Sequence, residues 1–155
     1  MKLLVGKIEG LNMGLKKVNK VAIVKLINNL NYRGKKISRE KDVFLLVKTI
    51  KGRRKVSGLD FLEKTMKRIA PLVFLKRKKV GGATYRIPVY LYPSKSYNFA
   101  VKWLISTSCG RKAGSLRHNM VKECRAIFNN RGKTLNKKEK LYQQALANRA
   151  FIKYL

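Results

Sequence analysis

Apolar positions recur at helical spacing along most of this chain and at strand spacing in one short stretch. From Val18 to Tyr32, residues Val21, Val24, Leu26, Ile27 and Leu30 form a broad apolar stripe, which predicts an amphipathic helix. Asn31 to Lys36 reads as a connector, with Gly34 suited to the reversal after a helix. A second helix is predicted from near Ser38, with Glu40 and Asp42 in its first turn, where acids complement the free N–H groups. Phe44, Leu45, Val47 and Ile50 supply its expected core face. Ser57 with Asp60 resembles a capping box, and Leu59, Leu62, Met66 and Ile69 carry a third helix that Pro71 ends.

The period then changes. Leu72–Lys79 and Ala83–Tyr92 are rich in β-branched and aromatic residues, with Gly81-Gly82 between them. Two such runs around a Gly-Gly pair predict a β-hairpin, because primed turns need positive φ. Pro88 cannot donate to a ladder, so its strand should be an edge, and a lone ribbon must lean on helices or on a ligand.

Helical spacing returns after Pro93. Phe99, Ala100, Trp103, Leu104 and Thr107 mark one face, with the Trp103 ring expected in the core. Ser115 caps a helix carrying Leu116, Met120, Cys124, Ile127 and Phe128, which Gly132 breaks. Asn136 with Glu139 gives a cap-like start to a last helix bearing Leu141, Ala145 and Ile152. The prediction is one mostly α domain of about six helices with a protruding two-stranded arm. Residues 1–17 show no period and read as a basic N-terminal arm ahead of a helical domain over 18–155, with the hairpin at 72–92.

Charge changes this picture. Over 155 residues there are 38 Lys and Arg against 7 Asp and Glu, a net charge of +31. Solubility needs only about +2 to +8 in a small domain, so the excess calls for a polyanion. Cations run from Lys2 to Lys153, whereas a membrane-surface protein concentrates them on one tail or one helix face. No apolar run approaches the ~18 residues of a membrane span. The first Arg is Arg33 and the first Ser is Ser38, unlike an Arg- and Ser-rich presequence. These features imply neither a membrane partner nor a small-molecule substrate.

Candidate chemistry follows the cations. Lys76, Arg77, Lys78 and Lys79 are consecutive on a strand and therefore alternate faces, so both faces of the ribbon should be charged. Gly81 and Gly82 allow close approach to a backbone, Tyr85 could stack on a base, and Arg86 could fork onto a phosphate. Basic loops at helix ends add Arg33, Lys35 and Lys36, the run Lys51 to Lys55, Arg111 and Lys112, and the stretch Arg131 to Lys140. Catalysis and metal binding find little support. Cys109 and Cys124 form no CxxC, Cys124 lies on an apolar stripe as a buried thiol would, and His118 is the only histidine, with no evident carboxylate partner. No cofactor is implied. A DNA-compacting architectural protein is the competing class, although the ribbon tip offers glycines in place of an apolar wedge. A basic nuclease would need an acid or His cluster that seven acids hardly supply.

Several stretches resemble one family. Val80-Gly81-Gly82-Ala83-Thr84-Tyr85-Arg86-Ile87-Pro88-Val89 is similar to the hairpin signature of the bacterial-type small-subunit ribosomal protein seven family. Gly34-Lys35-Lys36, Ala100-Val101-Lys102-Trp103-Leu104-Ile105, Lys137-Lys138-Glu139 and Ala147-Asn148-Arg149-Ala150-Phe151 resemble further stretches of it, in order over about residues 18–155. The resemblance implies a primary rRNA binder that nucleates the 3′ major (head) domain of the small subunit. It would lie near the mRNA exit path and the exit tRNA site, beside head and platform proteins, with no catalytic activity. It implies RNA contacts at the N-terminal arm (Lys16, Lys17), the hairpin and the interhelical loops, and by position at Arg117, Lys137, Lys138 and Arg149. Ser106-Thr107-Ser108-Cys109 departs from the family pattern, as do residues 1–17. That divergence and the Lys-Asn-Ile bias favour a mitochondrial member over a plastid or bacterial one.

Overall fold

The computed structural model describes residues 17–31, 33–51, 57–111 and 114–154. Three helices come first: α1 (Lys17–Leu30), α2 (Lys36–Lys51) and α3 (Gly58–Ile69). A hairpin of β1 (Val73–Val80) and β2 (Ala83–Tyr90) follows, then α4 (Pro93–Cys109), α5 (Leu116–Phe128) and α6 (Lys133–Ala147), and a 3-10 helix over Arg149–Tyr154. This is the mostly helical single domain with a two-stranded antiparallel arm that the periodicity predicts.

The core lies among α1 to α5, where Leu26, Leu46, Ile50, Leu62, Met66, Ile69, Leu104, Met120 and Ile127 are essentially solvent-free. Ser57 caps α3 by accepting from Leu59 N at 3.3 Å, and Ser115 caps α5 by accepting from His118 N at 3.4 Å. Trp103 is half-buried against the core, and the Cys124 side chain is fully enclosed.

Four expectations are corrected. Helix α2 starts at Lys36, which moves Glu40 and Asp42 out of its first turn. It buries Val43, Leu46 and Ile50, and it exposes Phe44 and Leu45. Five consecutive apolar residues, 43–47, give no unique face, and the i, i+3, i+7 set won. Helix α6 starts at Lys133 after Gly132, so Asn136 and Glu139 lie within it. That helix ends at Ala147, and Ile152 is exposed in the 3-10 turn.

The hairpin pairs in register from Val73↔Tyr90 to Val80↔Ala83, with Gly81 at φ 57° and Gly82 at φ 85° in the turn. Cross-strand partners share a face, and so do alternate residues along a strand. One face therefore holds Phe74, Lys76, Lys78 and Val80 with Val89, Ile87, Tyr85 and Ala83. It rests on the body: Phe74 stacks on Phe99 at 4.7 Å, Ile87 is buried, and Tyr85 packs against Phe151 (4.9 Å) and Tyr154 (5.3 Å). The ribbon thus leans on α4 and the C-terminal turn.

Candidate nucleic-acid interface

With so few carboxylates, most cations must find other partners. Ion pairs among the described residues include Arg39–Asp42, Lys67–Glu63 and Arg111–Glu123. Several other cations bond to carbonyl oxygens, many at helix ends. Arg68 Nη1 donates to Phe128 O at 2.7 Å, Lys138 Nζ to Arg68 O at 2.7 Å, Lys25 Nζ to Ser94 O at 2.7 Å, and Arg125 Nη2 to Thr49 O at 3.3 Å. Carbonyls in a last helical turn carry partial negative charge, so they substitute in part for missing acids.

The hairpin is different. Lys76, Arg77, Lys79 and Arg86 are exposed, and Arg77 sits directly opposite Arg86. Like charges facing each other across a ladder repel, and no carboxylate among the described residues pairs with either. At the tip, a Cβ on Gly81 or Gly82 would meet nothing within 4 Å, so a ligand backbone can approach freely.

The remaining predicted contacts fall into three groups. Arg33, Lys35 and Lys36 are exposed in the α1–α2 turn, and Arg117 is exposed at the start of α5. A cleft between α1, α2 and α5 is lined by Leu30, Arg39, Asp42 and Arg117 among others. Lys137 is exposed and donates to Ser106 Oγ at 3.1 Å, while Lys138 lies half-buried over the Tyr142 ring. Burial lowers the Lys138 pKa. Arg149 is exposed beside the hairpin's resting place, where Lys78 Nζ donates to Tyr154 O at 2.7 Å. Lys16, Lys112 and most of the Lys51–Lys55 loop lie outside the described residues; Lys17 opens α1, and its side chain is likewise outside them.

Two site residues also make contacts within the protein. Tyr85 is half-buried against the Phe151 and Tyr154 rings. The Arg111 guanidinium bonds to Glu123 and thereby turns inward. Sequence reasoning missed what Glu123 does. This fully buried carboxylate accepts from Arg111 Nη2, from Thr134 N at 2.9 Å and from Thr134 Oγ1 at 2.9 Å. Thr134 Oγ1 in turn lies 2.8 Å from Thr107 Oγ1. Glu123 therefore ties the end of α4, the α4–α5 loop and the start of α6 to α5. Burial pushes its pKa up, but the bonds from Arg111 and Thr134 outweigh that and hold it below the ordinary value.

Among the described residues no three His, Cys, Asp or Glu side chains gather as a metal site, and no helix is long and apolar enough to cross a membrane. A packed helical body with exposed cations on a ribbon and at helix ends, and few acids to answer them, is the build of a polyanion-binding protein. The comparisons narrow that class. The family model for ribosomal protein S7p/S5e matches residues 10–149. The small ribosomal subunit protein uS7 of Bartonella tribocorum is 31% identical over 138 residues, 89% of this chain and 88% of its own length. Those of Dictyoglomus turgidum (32% over 136 residues) and Chloroflexus aggregans (33% over 136 residues) cover 88% of this chain and 87% of their own. The chain belongs to the S7p/S5e family of ribosomal proteins, which are structural proteins and not enzymes.

Proposed function

We propose that this chain is a structural constituent of the small ribosomal subunit that binds folded rRNA and nucleates its 3′ major (head) domain. In this reading it sits near the mRNA exit path and the exit tRNA site, with head and platform proteins as neighbours. The observation that carries it is the coincidence of family membership with the Arg77–Arg86 pair, held opposite one another on an exposed ribbon with no acid partner among the described residues. Phosphates are the counter-charge that this arrangement lacks. Lys76, Lys78, Lys79, Gly81 and Gly82 extend the hairpin contact. Arg33, Lys35, Lys36 and Arg117 form a second contact at the end of α1 and the starts of α2 and α5, and the 1–17 arm, Lys112, Lys137, Lys138 and Arg149 complete the interface. Arg111 contributes chiefly by fixing its loop.

The test is binding of the full chain to small-subunit rRNA across monovalent salt, with duplex DNA as competitor. Contact with ~10 phosphates gives a log–log slope of several units, and folded rRNA should outcompete duplex DNA. A flat salt response, or equal binding to both, would overturn the reading. For the compartment we favour a mitochondrial ribosome, on the Lys-Asn-Ile bias and the divergence from bacterial relatives. Sedimentation of the chain with organellar small subunits after a high-salt wash checks it; recovery with cytoplasmic 30S-type particles alone would refute it.

A further inference from the structure

Helix α6 begins in surroundings that oppose a helix start. Its first turn holds no acid and opens on Lys133, close after Arg131, and its N-cap residue Gly132 has no side chain to accept a hydrogen bond. A helix start carries partial positive charge and favours acids, so cations there work against it. The missing acceptor comes from inside the fold. Glu123, one of only 7 acids in the chain, is fully buried and accepts from Thr134 N and Thr134 Oγ1, both at 2.9 Å, and from Arg111 Nη2 on its other oxygen. Buried neighbours extend the joint: Thr107 Oγ1 lies 2.8 Å from Thr134 Oγ1, and Asn119 Nδ2 donates to Arg111 O at 3.2 Å. Lys137, one turn along α6, donates to Ser106 Oγ near the end of α4.

A buried ion pair is a poor stabiliser, because well-packed apolar residues of like volume often hold helices together as well or better. What this acid adds is placement. It supplies the helix start with a negative partner on the buried side, and so leaves the outer side to the exposed Arg131, Lys133 and Lys137. No acid occurs anywhere from 124 to 138 to offset them. Cations so close together repel, and a loosely held turn would let them spread. Each side chain that must then be ordered on binding lowers affinity, whereas a turn already fixed avoids that loss. We infer that Glu123 is a positioning residue of the rRNA interface: through Thr134 it fixes the start of α6 and holds Arg131, Lys133 and Lys137 as one pre-ordered group for phosphates. The inference rests on the rRNA-binding reading for its ligand, and adds to that reading two cations and a buried acid that does not itself meet the RNA.

The experiment measures the Kd of the full chain for folded small-subunit rRNA at constant salt. Glu123→Gln keeps the shape of the side chain but removes a negative charge and releases Arg111. Charge alone therefore predicts tighter binding, whereas positioning predicts binding weaker by about fivefold or more. Thr134→Val leaves the net charge alone and should weaken binding in the same direction; Thr134→Ser keeps the hydroxyl and should restore it. The effect should also run through the named cations. On a background of Lys133→Ala with Lys137→Ala, Glu123→Gln should cost less than about twofold, whereas on a background of Arg77→Ala with Arg86→Ala it should cost the full amount. General loosening of the fold would lower affinity equally on both. Should Glu123→Gln lose its helical circular dichroism, Thr134→Val and Thr134→Ser are read on the same two backgrounds. Variants that bind as tightly as the parent or tighter, or that lose as much on one background as on the other, overturn the inference and leave the rRNA reading standing. A parent chain that fails to bind rRNA refutes that reading itself.

Discussion

Glu123 joins three elements to α5 from inside the fold. It is fully buried, and its partners Arg111, Thr134 and, through Thr134, Thr107 come from three separate elements. Its folded pKa is depressed, so its contribution to stability is complete above the unfolded value of about 4.3 and is lost as pH falls through the folded value. Urea midpoints measured from pH 7 to pH 3 should fall at the acid end, and Glu123→Gln should flatten that limb. Glu123→Ala should cost about 3 kcal/mol at pH 7, the lower end of the range for breaking a buried pair, because Arg111 keeps some access to water. A Gln variant with an unchanged acid limb would remove Glu123 from the account. The adjacent residue gives a second check. Burial, with the Glu123 charge beside it, raises the Cys124 thiol to about 12, whereas Cys109 is exposed. An alkylating reagent at pH 8 should therefore label Cys109 alone in the folded chain and both thiols after unfolding, as read by intact mass; labelling of Cys124 in the folded chain would contradict the packing.

At the scale of elements, the joints decide how the bundle closes. Gly58 opens α3 against α2, where an added Cβ would clash with the backbone carbonyl oxygen of Val47. A backbone carbonyl cannot retreat as a flexible side chain can, so Gly58→Ala should cost about 1–3 kcal/mol by thermal denaturation. The hairpin depends on another joint, the Tyr85, Phe151 and Tyr154 cluster. Phe151→Ala should leave helix content intact yet speed amide exchange over 76–86; equal protection would mean that the ribbon holds its place unaided. These joints also show what the sequence could and could not reveal. The Gly81-Gly82 turn and both strands were legible, because turn chemistry and β-formers are local signals. The start of α6 was not. Its Gly132 has no side chain to cap with, and the cap acceptor arrives from Glu123, eleven residues from the Thr134 N–H that it accepts. The sequence pattern therefore points to Asn136 and Glu139, the nearest residues of capping type. The packing of Tyr85 against Phe151 and Tyr154 was hidden for the same reason, since those rings lie far along the chain. The cationic ribbon was legible as chemistry, but only the register shows that Arg77 faces Arg86.

On the scale of the whole molecule, two demands oppose each other. The interior is an ordinary close-packed helical core, fully buried at Leu26, Met66, Ile69 and Leu104. Around it sits a net charge of +31, and helix-end carbonyls answer only part of that excess. Self-repulsion of this kind destabilises a compact chain until counter-charge screens it. Screening by salt and neutralisation by phosphates act on the same cations, so they must trade against each other. At 0.15 M salt the Debye length is about 8 Å, short enough to weaken repulsion between neighbouring loops. Raising monovalent salt from about 0.02 M to 0.3 M should therefore raise the Tm of the free chain while lowering its affinity for rRNA. Adding rRNA at low salt should raise the Tm further than salt alone, because bound phosphates neutralise specific cations and any ligand of the native state stabilises it by mass action. Arg77→Ala with Arg86→Ala removes one local repulsion and two phosphate contacts at once. That variant should have a free Tm at low salt equal to or above the parent's, and a smaller gain on adding rRNA. Calorimetry of both proteins with and without rRNA reads the two signs together. A free chain whose Tm falls with salt, or a variant that loses stability in the absence of RNA, would show that the ribbon's cations serve the fold and not the ligand.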